Sequence, residues 1–388
     1  MTTTQFSVDA ARARFSSLRS GFAFFDAPGG TQVPDEVGDA IAAGLRDASG
    51  NLGAPYATGR AVEAILVRAK DDAARFLGCS PDEISFGMNM TTLDFALSRA
   101  AGRDFAAGDE VLTTQLDHDG GVAPWVELAA DKGLEVRVAQ ATDELTVDYD
   151  DLERQLNERT RVVAFALASN ATGTVADAKR ICALAREAGA ISWIDAVHYA
   201  AHEPIDVPEL GCDVLICSPY KFCGPHLGVA YVRQELAETW RPYKARPSAA
   251  TPVGRRFETG TLPYELLAGF SATIAYLDSL GGLSVLRDYE RDLGRYLIES
   301  LPGNVVLYGP QSMDGRVPTF LFNVERVPAE RAARQLGERG LGVWYADNWY
   351  CVALGPRLPE TSLRAGLIHY NTRAEVDLLV EELGALTR

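Results

Sequence analysis

The sequence lacks the features that mark membrane, secreted and metal-binding proteins. No run of apolar residues approaches the ~18–20 that a membrane span needs. The first residues, MTTTQFSVDAARARF, predict an amphipathic helix, not a signal peptide or an anchor. The six cysteines form no CxxC pair and show no disulfide-like spacing, so we expect reduced thiols in a cytoplasmic protein. No cluster of His and Cys has zinc spacing, and we therefore expect no metal.

Basic residues are outnumbered by acidic ones. The chain has 37 Lys and Arg residues against 53 Asp and Glu residues, which gives a net charge of −16. A nucleic-acid partner requires a concentrated basic surface, and this balance argues against one. An acidic protein can still bind a small anion in a local pocket, so the net charge does not define the substrate.

The order of predicted elements indicates an α/β fold. From about residue 60 to 235, short apolar strands alternate with amphipathic helices, which is typical of a mostly parallel sheet with helices on both faces. At 388 residues the chain is long enough for two domains. We predict a large domain over 20–262 and a smaller α+β domain over 1–19 and 283–388, joined by a helical region at 263–282.

The carboxyl ends of the predicted strands are where a site is expected. The strands are ISFG (84–87), EVLTT (110–114), EVRVA (135–139), RVVAFALA (161–168), AISWID (190–195), DVLIC (213–217) and GVAYV (228–232). Segment 236–264, rich in Pro and Arg, is predicted to be a loop, and 350–354 a strand of the smaller domain. In an open parallel sheet, ligands bind outside the carboxyl ends of the strands.

Polar and ionisable side chains follow five of these strands. Scattered surface polarity would not readily concentrate them at one edge of the sheet. They are Met90 and Thr91 after 84–87, His118 after 110–114, Asn170 after 161–168, Asp195 and His198 at the end of 190–195, and Ser218 and Lys221 after 213–217.

Lys221 is the candidate for covalent chemistry. The chain has only five lysines, and Lys221 alone directly follows a predicted buried strand. A desolvated lysine amine reacts with aldehydes, which is the chemistry of a Schiff base with pyridoxal phosphate (PLP). The alternative is an ordinary lysine at the rim of the sheet, since most lysines are exposed.

Neighbouring residues could supply what PLP requires. Asp195 could pair with the pyridine nitrogen, or it could simply cap a helix. Met90 and Thr91 open a helix and, with Ser218, could hold a phosphate, although Thr also caps helices for structural reasons alone. His118 could stack on the ring and move protons, although a lone His is more often structural. Each of these residues therefore has both a PLP-binding and a purely structural interpretation.

Longer motifs resemble the class V aminotransferase family of fold-type I PLP enzymes, which includes cysteine desulfurases, selenocysteine lyases and isopenicillin N epimerase. Within it, the chain is most similar to the cysteine desulfurase-like and selenocysteine lyase-like subgroup. The motifs are WIDAVHYAAH (193–202) and CSPYKFCGPHLG (217–228), which are the most specific, with FFDAPGGTQVP (24–34), DHDGGVAPW (117–125), FETGTLP (257–263) and LRAGLIHYNT (363–372).

The resemblance implies roles around the ring of the cofactor. Lys221 would form the Schiff base, Asp195 would pair with the ring nitrogen, and His118 would stack on the ring. Asn170 matches an asparagine near the phenolic oxygen of PLP. His198 occupies the place where many desulfurases carry a glutamine to that same oxygen.

The resemblance also implies roles for the phosphate, the substrate and the assembly. Thr91 and Ser218 match phosphate ligands. Arg364 matches an arginine that binds the substrate carboxylate, a role that suits a guanidinium, although a surface ion pair is the alternative. Thr261 matches a residue that reaches the phosphate in the neighbouring subunit, which implies a homodimer with composite active sites.

Two departures from the family pattern bear on the reaction. Tyr220 stands where desulfurases usually carry a histidine before the cofactor lysine. Their mobile, nucleophilic cysteine lies in a loop that corresponds roughly to 343–351, which here reads VWYADNWYC. Cys351 falls in a predicted strand, and a buried strand cysteine is usually an inert small hydrophobic residue.

The leading expectation is a PLP-dependent lyase or desulfurase that cleaves a C–S or C–Se bond of a cysteine-like amino acid. The same cofactor would also serve an aminotransferase or an amino-acid epimerase, in which the α-carbon is reprotonated instead. A non-catalytic PLP-binding scaffold is the third alternative, and the intact set of candidate site residues argues against it. Selectivity for the substrate side chain would lie in loops such as 240–260 and 343–351.

Overall fold

The computed structural model describes residues 6–245 and 250–386. Its helices are α1 (Val8–Arg12), α2 (Asp35–Asp47), α3 (Ala57–Leu77), α4 (Met90–Ala101), α5 (Asp119–Lys132), α6 (Tyr149–Gln155), α7 (Ala178–Glu187), α8 (Val207–Leu210), α9 (Gln234–Thr239), α10 (Tyr264–Ser279), α11 (Leu283–Ser300), α12 (Ala329–Glu338) and α13 (Arg373–Ala385). Its strands are β1 (Ala23–Phe24), β2 (Ile84–Gly87), β3 (Glu110–Thr114), β4 (Glu135–Ala139), β5 (Thr160–Ala166), β6 (Ile191–Asp195), β7 (Val214–Cys217), β8 (Gly228–Val232), β9 (Val305–Tyr308), β10 (Thr319–Val324), β11 (Leu341–Gly342), β12 (Trp344–Ala346) and β13 (Ser362–Gly366).

A seven-stranded sheet forms the centre of the fold, in the order β2-β8-β7-β6-β5-β3-β4. The strands from β4 to β7 pair in parallel, whereas β8 is antiparallel to both of its neighbours. The predicted mostly parallel α/β class is therefore confirmed. In the register, Asp195 pairs with Ala166 on one side and with Ile216 on the other. Three central strands thus end at the same edge of the sheet.

Adjacent residues on the central strands point to opposite faces of the sheet and pack into different hydrophobic cores. Val111 and Val214 pack on the face that carries α4 and α5, where Trp125 is fully buried. Leu112 and Leu215 pack on the opposite face, which includes Ile181 of α7. Both faces of the sheet are covered, which is why its strands read as continuous apolar runs in the sequence.

A smaller antiparallel sheet, in the order β12-β13-β10-β9, has a separate core with residues of α11, α12 and α13. In this sheet Arg364 pairs with Leu321 of β10 and with Trp344 of β12. A parallel bridge between Asp26 and Gly366 brings the N-terminal segment beside β13. This contact places residues from both ends of the chain next to the carboxyl edge of the large sheet.

Three sequence-based assignments differ from the structure. The segment 236–264 is not entirely loop, because α9 extends to Thr239; residues 246–249 lie outside the described residues. Residues 350–354 form turns instead of a strand. Helix α2 was not predicted; its Gly44 packs closely on Glu265 of α10, and a Cβ added there would lie 3.0 Å from the Glu265 Cα.

Within 6–245 and 250–386, no single helix is long and apolar enough to cross a membrane. Helices α10 and α11 taken together have the length and apolar composition of a membrane span, but they are bent by 69° at the break between them. Leu267 and Phe270 of α10 are fully buried against the large sheet's core.

Candidate active site

A cavity of about 700 Å³ lies at the carboxyl ends of the central strands. Residues that follow β2, β3, β5, β6 and β7 line it, together with residues of β12, β13 and the 347–350 turn. Thr261 is exposed and does not line this cavity in the single chain. The other sequence-predicted residues all do: Met90, Thr91, His118, Asn170, Asp195, His198, Ser218, Lys221 and Arg364.

Lys221 lies in a single 3-10 turn directly after β7. Its Nζ donates hydrogen bonds to the carbonyl oxygens of Pro28 and Gly29, the latter at 3.1 Å. Burial lowers the pKa of the Lys221 amine to about 7, and the nearby charge of Arg364 contributes to that shift. A large fraction of this amine is therefore neutral at neutral pH, which is the form that attacks an aldehyde.

Asp195 is the last residue of β6, and its Oδ1 accepts a hydrogen bond from the Val197 N–H at 2.9 Å. Burial raises the pKa of the Asp195 carboxyl to about 6, while the Lys221 charge opposes that rise. The carboxyl group is therefore mostly ionised at neutral pH. It provides a partly buried negative charge in the cavity wall, which suits a protonated ring nitrogen.

The N-terminus of α4 forms one end of the cavity. Asn89 caps this helix by accepting a hydrogen bond from the Thr92 N–H at 2.9 Å, and Ser218 Oγ accepts one from the Met90 N–H at 3.0 Å. Gly228 allows β8 to approach, because a Cβ there would lie 2.5 Å from the Asn89 carbonyl carbon. Backbone amides at a helix start, together with the Thr91 and Ser218 hydroxyls, suit a phosphate group.

His118 caps α5, and its Nδ1 accepts a hydrogen bond from the Gly120 N–H at 2.8 Å. Burial lowers the pKa of the His118 imidazole to about 4, with smaller contributions from the charges of Lys221 and Arg364. The ring is therefore neutral with its proton on Nε2. It lies nearly parallel to the Tyr350 ring, at 25° and 5.5 Å between centroids.

His198 is held from the side of the smaller sheet. Its Nε2 shares a hydrogen bond of 2.7 Å with Thr319 Oγ1. Its Nδ1 is buried and has no hydrogen-bond partner in the described part of the chain. Burial and the neighbouring His202 lower the pKa of His198 well below its ordinary value, so the ring is neutral. The unpaired nitrogen on a cavity-lining residue is available to a polar ligand atom.

Arg364 presents a buried cation to the cavity. Its Nη1 donates to the Asn170 carbonyl at 2.8 Å, and its guanidinium lies 4.3 Å from the centroid of the Trp349 ring. Its Nε is buried without a partner among the described residues. Burial lowers the pKa of Arg364 to about 10, which still leaves it positively charged at neutral pH. An unsatisfied guanidinium in a cavity suits a carboxylate ligand.

Cys351 is fully buried, as expected, but it lies in a turn and not in the predicted strand. The backbone explains why no strand forms here, because Trp349 and Tyr350 have φ values of 56° and 57°, outside the range of a strand. Burial raises the pKa of the Cys351 thiol to about 12, so the group is a neutral thiol. Thiolates, not thiols, act as nucleophiles.

Several cavity residues were not singled out by sequence reasoning. Pro28 and Gly29 had no individual role in the sequence prediction and belonged only to a family motif, yet their carbonyl oxygens accept the hydrogen bonds of Lys221. His226 stacks on Tyr220 with centroids 5.0 Å apart, and only its place between β7 and β8 distinguished it in the sequence. Trp344, Asp347 and Tyr350 are exposed at the cavity and come from the segment where selectivity was expected.

The arrangement fits PLP on two independent observations. A partly neutral lysine amine, a partly buried carboxylate and a helix N-terminus with hydroxyls line the same cavity. The buried and unpaired Nδ1 of His198 lacks a partner that a ligand oxygen would supply. The donor set is therefore that of an organic aldehyde phosphate.

Comparison with known proteins agrees with this fit. The family model described as aminotransferase class-V matches residues 23–379. A probable cysteine desulfurase 2 of Mycobacterium leprae is 32% identical over 405 residues, which cover 97% of this chain and 96% of that protein.

Two solved structures show the same fold. The apo cysteine desulfurase of Thermococcus onnurineus NA1 superposes with a TM-score of 0.93 at 24% identity, covering 99% of both chains. A lysine-to-alanine mutant of C-DES, with glycine covalently linked to the PLP cofactor, gives a TM-score of 0.85 at 20% identity and covers 97% of this chain and 99% of that one.

Proposed function

The chain belongs to the class-V aminotransferase family, and from its site we propose that it is a PLP-dependent enzyme that cleaves the C–S bond of cysteine or a cysteine-like amino acid. The names of its relatives support the reaction class. The observation that carries the proposal is the convergence of Lys221, Asp195 and Arg364 on one cavity. Together they provide a reactive amine, a ring-pairing carboxylate and a carboxylate-binding cation.

Residues at the ends of three strands would hold the cofactor. Lys221 would bind its aldehyde carbon, and Asp195 would face its ring nitrogen. Met90, Thr91 and Ser218 would hold the phosphate at the start of α4. When bound, PLP supplies an electron sink for the electron pair left when a bond to the substrate α-carbon breaks.

His118, Asn170 and His198 would orient the ring of the cofactor. His118 is neutral and fixed by its Gly120 hydrogen bond, so it offers an uncharged ring face and an Nε2 proton. His198 would direct its unpaired Nδ1 to the phenolic oxygen, while Thr319 holds the opposite nitrogen. Asn170 also lines the cavity and would contribute to the same contact.

Lys221 would also move the proton of the α-carbon. Its amine is released once the substrate amine takes its place, and its pKa of about 7 leaves it able to accept a proton near neutral pH. The Pro28 and Gly29 carbonyls would then stabilise the resulting ammonium, because they already accept its hydrogen bonds.

Arg364 would bind the substrate carboxylate. Its position on β13 is fixed by the Asn170 carbonyl on one side and the Trp349 ring on the other, while Nε has no partner in the described chain. Fixing the carboxylate orients the α-carbon towards the Lys221 amine. Trp344 and Tyr350 at the mouth of the cavity would contact the substrate side chain.

The fate of the sulfur separates two versions of the reaction. A desulfurase transfers sulfur to a protein thiolate, whereas a β-eliminating lyase needs no protein thiol. Cys351 is buried, neutral and hydrogen bonded to Asn170, which favours the lyase. An aminotransferase or an epimerase would use the same cofactor and is the alternative outcome. A non-catalytic scaffold would not require Lys221 and Arg364 to converge on one cavity.

We propose that the active enzyme is a cytoplasmic homodimer with composite sites. Thr261 is exposed and lies outside the cavity of its own chain, so its proposed phosphate contact would be to the partner subunit. All six cysteines are free thiols, which supports a reducing compartment. A monomer by light scattering that is fully active would contradict the dimer.

A substrate panel tests the proposed function. The purified enzyme is incubated with L-cysteine, selenocysteine, cystine and alanine, and sulfide, pyruvate, alanine and chirality are assayed. From cysteine, the lyase reaction gives sulfide, pyruvate and ammonia, whereas a desulfurase gives alanine and a protein persulfide, from which an added thiol reductant releases sulfide. Racemised or transaminated amino acid without sulfide would instead support the alternative outcome.

A further inference from the structure

A second, smaller cavity lies beside the active-site cavity. Its volume is about 10 Å³, and His118, Ala166 and Asp195 line both cavities. Asp94 and Asp117 line only the smaller one. Three carboxyl groups therefore surround a space at the lower limit for one water molecule.

These three carboxyl groups differ in their hydrogen bonds. Asp117 accepts three of them, from the Thr114 N–H and hydroxyl, both at 2.7 Å, and from the Ala166 N–H at 2.8 Å. Asp195 accepts one, from the Val197 N–H. Asp94 of α4 is fully buried, and neither of its carboxyl oxygens has a hydrogen-bond partner in the described residues.

The surroundings of Asp94 disfavour a negative charge. Burial raises the pKa of its carboxyl well above the ordinary value, and the charge of Asp195 raises it further. The indole of Trp193 partly offsets this rise in the pKa of Asp94. Its N–H is also buried, and among the described residues it has no hydrogen-bond partner of normal geometry. Within the described chain, no Lys or Arg lines the small cavity. An unpaired buried charge costs several kcal/mol, so the neutral acid is favoured.

We propose that Asp94 is a protonated carboxylic acid and that one water molecule in the small cavity connects its O–H to the carboxylate of Asp195. Asp94 is then a positioning residue that acts through Asp195 and does not touch the cofactor. Asp94 donates to the water molecule, and the hydrogen bond that this water donates to Asp195 stabilises the ionised form of Asp195, which is the form that pairs with a protonated ring nitrogen. Only this last effect depends on the role proposed above for Asp195.

The cavity offers the polar partners that a water molecule requires. A buried water makes about three hydrogen bonds, and here the Asp94 carboxyl, the free Asp195 Oδ2 and the Trp193 N–H are available. Other titratable groups also face this region. The positive charge of Lys221, which lines the main cavity, lowers the pKa of Asp195 and so favours its ionised form. His118 is neutral, because burial lowers its pKa to about 4.

The first experiment measures the protonation of Asp94. The holoenzyme and its Asp94→Asn variant are unfolded in urea between about pH 4 and 8. The unfolded Asp94 has a pKa of about 3.9, so folding takes up a proton at every pH between this value and the raised folded value. The unfolding equilibrium constant of the wild type should therefore rise about tenfold per pH unit relative to that of Asp94→Asn.

Asp131→Asn is the matched control for that experiment. It removes an exposed carboxyl group of α5, and its profile should run parallel to that of the wild type. If the Asp94→Asn profile also ran parallel to the wild type, Asp94 would be ionised and the proposal would be overturned.

The second experiment measures the coupling to Asp195 as the affinity of the apoprotein for PLP against pH. Every protein in this series carries Lys221→Ala, so that the Lys221 amine does not titrate, and affinity should fall as the pH drops through the pKa of Asp195. Asp94→Leu removes the donor, so this midpoint should rise by about one pH unit, the value of one hydrogen bond to a charged group. Asp94→Asn keeps a donor and should restore the midpoint of the protein that retains Asp94.

The outcomes separate the two proposals. An unchanged midpoint in Asp94→Leu would overturn the coupling between Asp94 and Asp195. A profile without any midpoint in the protein that lacks Lys221 but retains Asp94 would contradict the proposed role of Asp195 itself. The proposal for Asp94 would then be decided by the unfolding profiles, which do not depend on PLP chemistry.

Discussion

The Cys351 thiol donates a hydrogen bond to Oδ1 of Asn170 across 3.0 Å. The amide of Asn170 also donates from Nδ2 to the Trp349 carbonyl at 2.9 Å. Both ends of this amide are therefore engaged by the turn that carries Cys351. The thiol is held in a fixed position as a structural donor, in contrast to the mobile thiolate that a persulfide carrier requires.

This relationship predicts that Cys351→Ala leaves catalysis largely intact. We expect kcat within about twofold of the wild type, because a β-elimination needs no protein thiol and the Asn170 amide keeps its Trp349 contact. Cys182→Ala, which removes a buried thiol of α7 outside the cavity, is the matched control. A Cys351→Ala enzyme that binds substrate but forms neither sulfide nor alanine would contradict the lyase reaction and support the desulfurase reaction.

Asp195→Asn should retain PLP but lose most turnover. An amide cannot stabilise a protonated pyridine, and the loss of one contact to developing charge typically costs about 100- to 1,000-fold in kcat. The absorbance of bound PLP reports cofactor retention, and sulfide release reports turnover. Near wild-type turnover in a variant that holds PLP would show that Asp195 does not pair with the ring.

Arg364→Ala should mainly raise KM. The guanidinium contacts the substrate carboxylate in the ground state and the transition state alike, so its removal weakens binding by about 10- to 100-fold. Steady-state kinetics with L-cysteine measure the split between KM and kcat. Arg334→Ala, on the exposed surface of α12, controls for the loss of a positive charge. A fall in kcat with unchanged KM would contradict a role in substrate binding.

The capture of PLP by the apoprotein should depend on pH through Lys221. Only the neutral amine attacks the aldehyde, so the rate should rise with pH and reach half its maximum near pH 7. Because the Arg364 charge lowers the pKa of Lys221, Arg364→Met should move that midpoint to higher pH. Stopped-flow absorbance measures both. A midpoint near that of an ordinary, solvated lysine, about pH 10, in the wild type would contradict the prediction.

Much of the fold could be predicted from local patterns. The apolar strands of the large sheet are buried on both faces, so their composition alone identified them. The family, the fold class and the PLP cofactor are likewise confirmed, because their motifs follow successive strands and converge at one edge of the sheet. The domain limits and the individual residue roles remain predictions.

Other features depend on contacts that the sequence does not display. The predicted strand at 350–354 was wrong because it rested on apolar composition alone. The left-handed backbone at Trp349 and Tyr350, which prevents a strand there, leaves no mark in that composition. The contact of Lys221 with the 28–29 carbonyls joins distant segments, at a sequence separation of 193 for Pro28. Asp94 was missed because it lies on the mostly apolar buried face of α4, and only the small cavity beside Asp195 distinguishes it.

The identity of the cofactor lysine tests the account most directly. The holoenzyme is reduced with borohydride, digested, and mapped by mass spectrometry. Lys70 serves as an internal control, since it is buried but paired with Glu258 at 2.5 Å. We predict a yellow protein and a single stable PLP adduct on Lys221. An adduct on another lysine, or a colourless protein that PLP does not reconstitute, would contradict the account.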